Sequence, residues 1–286
     1  MKKLISLLLC VLLLAGCKAE VYEGPTEISC VITQSLCTIY DTYSGQSSTR
    51  LHADSYDSFG NLVCSLYYSD GELTSEHRFS YDARGNRIRE TNWDHTGLIS
   101  LPISRTDYTY DDRGRVLTTT YRNGLGFKTG GDTFTYDDEA NTIFWNGTYD
   151  TQTRYLNENG DLIRVVTFSE PAGMEIETLY EYDELGRNTK ITEYRNGALA
   201  SITQKRYDDQ GRILENISCD ANGTAIYGTT CVYDENTVTT VNLDGNRSVE
   251  TLRPDGLVET MDNFDPDGNL LSRTEYSYRQ INVPKK

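Results

Sequence analysis

Tyr108-Thr109-Tyr110-Asp111-Asp112-Arg113-Gly114-Arg115-Val116-Leu117-Thr118-Thr119-Thr120-Tyr121 is the stretch that decides the fold. Asp at the first position of a type I turn accepts backbone hydrogen bonds, and a Gly three residues later tolerates positive φ. Together they make the type I turn plus G1 bulge of a common β-hairpin. The flanking Thr, Tyr and Val residues favour strands and alternate as strands do. The stretch therefore predicts strand, turn, strand.

The same pattern recurs. Tyr56 to Asn61, Tyr81 to Asn86, Tyr182 to Arg187 and Tyr207 to Arg212 repeat the Tyr-Asp-x-x-Gly core, and worn copies begin at Tyr136 (Ala140 replaces Gly), Tyr233 (no Gly) and Phe264. From Tyr56 to Tyr233 the successive steps are 25, 29, 26, 46, 25 and 26 residues, and the long step has room for a degenerate copy near Tyr155 with its turn at Asn159-Gly160-Asp161. Shorter turns fall between the copies, at Ser69-Asp70-Gly71, Asp94 to Gly97, Arg122-Asn123-Gly124, Arg195-Asn196-Gly197 and Asp220 to Gly223. A turn thus arrives roughly every 12 residues, and no window carries a sustained helical period. The expectation is an all-β protein, an elongated antiparallel β-hairpin repeat strip of about nine hairpins, single-layer or partly curled.

These residues resemble the YD-repeat (RHS) family, whose hallmark is Tyr-Asp-x-x-Gly-Arg. The resemblance covers roughly residues 52 to 275 and is best at Tyr108 to Leu117, Tyr180 to Arg187 and Tyr207 to Leu214. The intervening turns look somewhat like MORN-type repeats. The family resemblance implies a long antiparallel strip able to curl into a spiral or shell. Large members enclose a C-terminal toxin, a role not carried over here because the repeats run almost to Lys286.

The N-terminus gives an address. Met1-Lys2-Lys3 followed by the apolar run Leu4 to Leu14 suits a secretory leader. Leu14-Ala15-Gly16-Cys17 resembles a bacterial lipobox, which implies cleavage after Gly16 and a lipid thioether on Cys17. The expected organisation is a signal peptide over 1–16, a lipid-anchored tether with capping strands over 17–50, and the repeat domain over 51–286. The expected location is the bacterial cell envelope, on the extracytoplasmic side of a membrane. After removal of Lys2 and Lys3 the chain holds 25 Lys and Arg against 43 acids, a formal charge of 25 − 43 = −18. With no basic cluster, nucleic acid is excluded as a partner.

Leu, Ile, Val and Phe make up only 54 of the 270 residues from Cys17 onward, too few for a thick aliphatic core, whereas the chain carries 21 Tyr. Beyond Cys10 and Cys17 the cysteines are Cys30, Cys37, Cys64, Cys219 and Cys231, an odd number with no CxxC. Cys30 and Cys37 could pair across a turn. Cys219 and Cys231 would sit roughly 23 Å apart along a strand, beyond disulfide reach.

Catalytic motifs are thin. Gly124 to Gly131 resembles a dinucleotide fingerprint, but strands flank it on both sides. Asp265-Pro266-Asp267-Gly268-Asn269 resembles the start of a calcium loop, yet the twelfth position is Tyr276 rather than Glu. His95 has no partner recognisable in sequence. No cofactor and no metal site is expected. The aromatic pairs Tyr108/Tyr110 and Tyr180/Tyr182 place both rings on one strand face, either as a cross-strand ladder or as a stacking platform, and these four residues are the candidate ligand contacts. The function expected is a non-catalytic, lipid-anchored surface protein that binds a glycan or surface protein or serves as an envelope scaffold. The alternative is a carbohydrate-active hydrolase using carboxylates on the strip.

Overall fold

A computed structural model describes residues 26–40 and 45–284. Among the described residues every regular element is a strand: β1 (Thr26–Tyr40), β2 (Ser47–Tyr56), β3 (Leu62–Ser69), β4 (Glu72–Tyr81), β5 (Arg87–Asp94), β6 (Leu101–Tyr110) and β7 (Val116–Asn123). Next come β8 (Lys128–Asp137), β9 (Thr142–Asn146), β10 (Asp150–Leu156), β11 (Leu162–Ser169), β12 (Met174–Tyr182), β13 (Asn188–Arg195) and β14 (Ala198–Tyr207). The last six are β15 (Ile213–Asp220), β16 (Ala225–Tyr233), β17 (Thr237–Asn242), β18 (Arg247–Leu252), β19 (Val258–Phe264) and β20 (Leu270–Pro284).

Each strand pairs antiparallel with its neighbours in sequence, as the hairpin pattern predicts, within one 20-stranded sheet. The strip does not stay open. β1 pairs with β2 on one side and with β20 on the other, Cys37 facing Arg50 and Thr274, so the sheet closes into a barrel. This corrects the elongated strip: an open strip would leave two long edges of unpaired backbone groups, and closure removes both. Residues 26–40 and 47–50 take part in that closure. Beyond Ile32 and Tyr278, β1 and β20 run on as a two-stranded ribbon past the rim.

The barrel surrounds no packed aliphatic centre. Among the described residues no large side chain is fully buried, and the buried apolar set is Cys64, Leu66, Tyr68 and Val165. The register divides the side chains into two faces. One carries Tyr108, Thr119 and Asp132 and continues to Tyr180 and Glu193; the other carries Arg89, Asp107, Arg122, Glu177 and Glu215.

The Tyr-Asp-x-x-Gly turns line one rim. In the turn at Asp111, Oδ1 accepts the Arg113 and Arg115 amides at 2.9 and 2.8 Å. The Arg115 Nε donates to Asp111 Oδ2 at 2.7 Å, and Gly114 takes φ +78°. Bonds from the Arg115 amide and guanidinium hold the Asp111 carboxyl below the usual carboxylate range. The motif's Tyr works between repeats. Tyr136 Oη donates to the Val116 carbonyl at 2.9 Å, with the Arg115 guanidinium 4.2 Å from its ring centroid. Tyr207 repeats this on Asn188 and Arg187, and Tyr233 on Ile213 and Arg212. Tyr81, Tyr110, Tyr182 and Tyr278 make the same carbonyl bond. Each Arg thus joins its own turn to the next repeat.

The degenerate copy inside the 46-residue step is present, with Leu156 in the Tyr place and Asn157 in the Asp place. The copy at Phe264 is out of phase. Its turn lies on the opposite rim, and the turn on the motif rim is Arg253 to Leu257. Among the described residues Cys37, Cys64, Cys219 and Cys231 take part in no disulfide.

Gly186 has φ +74° with open space around its absent Cβ, so Gly186→Val should cost roughly 1–2 kcal/mol through backbone strain alone. At Ala140 the positive φ has moved to Asn141, so Ala140→Val should be near neutral by the same thermal melt. Equal losses at both positions would contradict the turn assignment. Tyr207→Phe keeps the ring under Arg187 and deletes one hydrogen bond, and should cost about 1 kcal/mol in denaturant unfolding.

Candidate functional site

The four candidate Tyr residues share one face but not one patch. β6 and β12 are six strands apart, roughly 29 Å along the sheet. Tyr110 and Tyr182 spend their hydroxyls on the carbonyls of Arg87 and Leu162, both at 2.7 Å. Tyr108 lies under the Arg87 guanidinium at 5.2 Å. Burial raises the Tyr108, Tyr110 and Tyr182 phenols above their ordinary value. Tyr108, Tyr110 and Tyr182 thus take part in the latch between repeats. Cys17 lies outside the described residues.

The rim opposite the motif turns is chemically different. Its loops carry Leu98 and Ile99 between β5 and β6, Leu125 and Phe127 between β7 and β8, and Tyr149 between β9 and β10, all exposed. Leu125 is 83% and Phe127 67% accessible, values that burial against the sheet would not allow. The loops abut: a Cβ on Gly124 would meet the Pro102 carbonyl oxygen, and one on Gly130 would meet Thr148 Oγ1 at 2.8 Å. Neighbouring loops of this rim therefore form a sector that carries these exposed apolar side chains.

At the edge of that sector lies a polar cluster. Glu76 on β4 is buried and accepts from Arg78 Nε at 2.5 Å and Nη2 at 3.2 Å, with the Cys64 thiol 3.6 Å away. His95 Nε2 is 3.1 Å from Glu76 Oε2, and His95 Nδ1 is 2.6 Å from Ser100 Oγ. The His95 amide donates to the Thr74 carbonyl at 2.9 Å, fixing the ring's position. Arg78 also lies over Trp93, which pairs with Glu76 across the hairpin. Burial pushes the Glu76 carboxyl up, but the bonds from Arg78, Cys64 and His95 outweigh it and hold the group below its ordinary value. His95 thus has two partners that its sequence neighbourhood did not reveal. Nineteen residues separate it from Glu76, and only the β4–β5 register brings them together.

The other two histidines flank Tyr67 on the tyrosine-bearing face, His52 stacked at 4.5 Å and His77 tilted at 5.1 Å. Asp54 lies beside them, 2.9 Å from His52 Nε2 and 2.6 Å from Ser65 Oγ.

Removing the Glu76 carboxylate leaves the half-exposed Arg78 and the shielded His95 without their shared acceptor. Glu76→Ala should cost roughly 2 kcal/mol at neutral pH, below the full penalty for a buried pair because Arg78 reaches water. A carboxyl held low in the folded state contributes stability above its unfolded pKa and loses it as pH falls through the folded value. The melting-temperature gap between parent and Glu76→Ala should therefore narrow below about pH 4.

No protein-family model matches the chain, and no curated protein matches it. Among solved structures it is similar to a porin-like protein from Bacteroides uniformis ATCC 8492, at 13% identity and TM-score 0.41 over 90% of this chain and 100% of that one. It is also similar to a porin-like protein from Bacteroides vulgatus ATCC 8482, at 11% identity and TM-score 0.34 over 87% and 98% of the two chains. A TcdB2-TccC3-TEV structure is similar at 12% identity and TM-score 0.31, over 85% of this chain and 19% of that one.

Proposed function

We propose that the chain is a lipid-anchored YD/RHS-type repeat protein of the bacterial envelope, whose barrel stands outside the bilayer and displays its apolar rim to an extracytoplasmic surface protein or neutral glycan. The observation that carries this reading is the contrast between the rims. β1 begins at the motif rim, so a lipid on Cys17 draws that rim toward the membrane and points the apolar rim away from it.

The faces support a barrel outside the lipid. A membrane barrel needs an outward apolar band, and a charge at the bilayer midplane costs several kcal/mol. Here one face carries Arg89–Asp107–Arg122, Arg164–Glu177, Arg206–Glu215 and Arg273–Asp262 along its strands. The other carries Glu90, Asp132, Glu193 and Lys205. Neither offers an uninterrupted band. The same pairing weighs against a glycosidase on the strip, because Asp107, Glu177, Glu215 and Asp262 are already ion-paired to Arg. With a formal charge of −18 from Cys17 onward, a polyanionic glycan is repelled.

Cys17→Ser should shift the protein from the membrane fraction to the soluble fraction with loss of the lipid mass increment. Retention of the variant in carbonate-washed membranes would show a barrel inserted by its own surface and would end this reading.

A further inference from the structure

We propose that Ser100, His95 and Glu76 form a serine-nucleophile site on the apolar rim that hydrolyses esters of aliphatic acids. This goes beyond anchoring and display, and it departs from the non-catalytic expectation.

The geometry orders three groups from solvent inward. Ser100 is exposed, while the His95 and Glu76 side chains are only 14% and 10% accessible. A carboxylate can only accept, so Glu76 Oε2 at 3.1 Å assigns the imidazole proton to Nε2. That leaves the Nδ1 lone pair facing Ser100 Oγ at 2.6 Å, where the hydroxyl donates. Glu76 is in turn fixed by Nε and Nη2 of Arg78 and by the Cys64 thiol. Nucleophile, base and orienting acid are recognised by these relations, whatever their order in the chain.

The chemistry closes with ester and water alone. Ser100 Oγ attacks the ester carbonyl carbon, the new C–O bond forms, and the hydroxyl proton passes to His95 Nδ1. Glu76 stabilises the imidazolium. Collapse breaks the bond to the leaving alcohol, which takes the proton from Nδ1. Water then attacks the acyl-Ser100 carbonyl, gives its proton to Nδ1, and the acid departs as that proton returns to Ser100 Oγ.

The surroundings choose the acyl group. Leu98, Ile99 and Leu101 flank the serine in sequence and are exposed, and the close approach of Gly124 to Pro102 makes the loop that carries Leu125 and Phe127 its neighbour on the rim. An aliphatic chain extending from the carbonyl finds apolar surface there, whereas a charged acyl group does not.

Purified full-length protein is treated with a fluorophosphonate probe and, separately, assayed with p-nitrophenyl octanoate and p-nitrophenyl acetate. The expected result is one adduct mapped to the peptide containing Ser100, with octanoate turned over faster than acetate. Ser100→Ala should lose the adduct and lower octanoate hydrolysis at least about 100-fold at an unchanged melting temperature, and His95→Gln should lower both by a similar factor. An adduct elsewhere, or parent hydrolysis equal to that of folded Ser100→Ala, would overturn the site. A preference for acetate would overturn the acyl-chain assignment. None of these outcomes depends on where the barrel is anchored.

Discussion

The pairing of β1 with β20 is the constraint on which the rest of the molecule depends. A single antiparallel layer has no second layer to bury its side chains, and among the described residues of this one no large side chain is fully buried. Left open, it would carry two unsatisfied edges and little apolar burial to resist fraying. Closure gives every strand two partners and makes edge fraying cost two ladders of hydrogen bonds. The aliphatic shortage in the composition then becomes tolerable, because cohesion lies along the sheet rather than across a core.

Within the closed sheet the repeat motif supplies a second set of bonds at every other strand. Asp organises its own turn, Arg bridges that turn to the next Tyr, and the Tyr hydroxyl returns to the carbonyl just after the Arg, as at Asp183, Arg187, Tyr207 and Asn188. This accounts for the choice of Tyr over Phe or Leu, since the ring packs under a guanidinium while its tip satisfies a backbone oxygen. It also accounts for a period near 25 residues, the length of the two strands and two turns that separate equivalent positions on one rim. Where Leu156 and Leu252 stand in the Tyr place, the hydroxyl bond is absent and backbone pairing alone holds the strand end.

Turns and strands were legible because their chemistry is local. The Asp-x-x-Gly signal fixes a type I turn with a bulge from four consecutive residues, and the positive φ at Gly60, Gly85, Gly114, Gly186 and Gly211 follows from it. Closure was not legible, because β1 lacks the motif and its pairing with β20 spans nearly the whole chain. The phase of the last repeat was misread for a related reason. Phe264-Asp265 has the right residues, but Arg253-Pro254-Asp255-Gly256 occupies the motif rim without a Tyr before it. The Glu76–His95–Ser100 cluster was hidden because a register, not a spacing, assembles it.

The unlike rims follow from this division of labour. On the motif rim most loops are alike, presenting an Asp cap, a positive-φ Gly and a side chain for the next repeat. Among the described residues the opposite rim lacks the repeated Tyr-hydroxyl latch, although Arg247 lies over Phe264, and its turns diverge: two-residue turns at Asp70-Gly71 and Asn196-Gly197, bulged loops at Asn123 to Phe127 and Asp220 to Thr224, and the longer loop from His95 to Ser100. Freedom from the latch is what permits exposed Leu98, Ile99, Leu125 and Phe127 there, residues that stability of the sheet does not require. A rigid, repetitive rim facing one way and variable loops facing the other is the arrangement by which a scaffold positions function. The apolar sector and the Ser100–His95–Glu76 cluster both lie on the side that the repeat leaves free to vary.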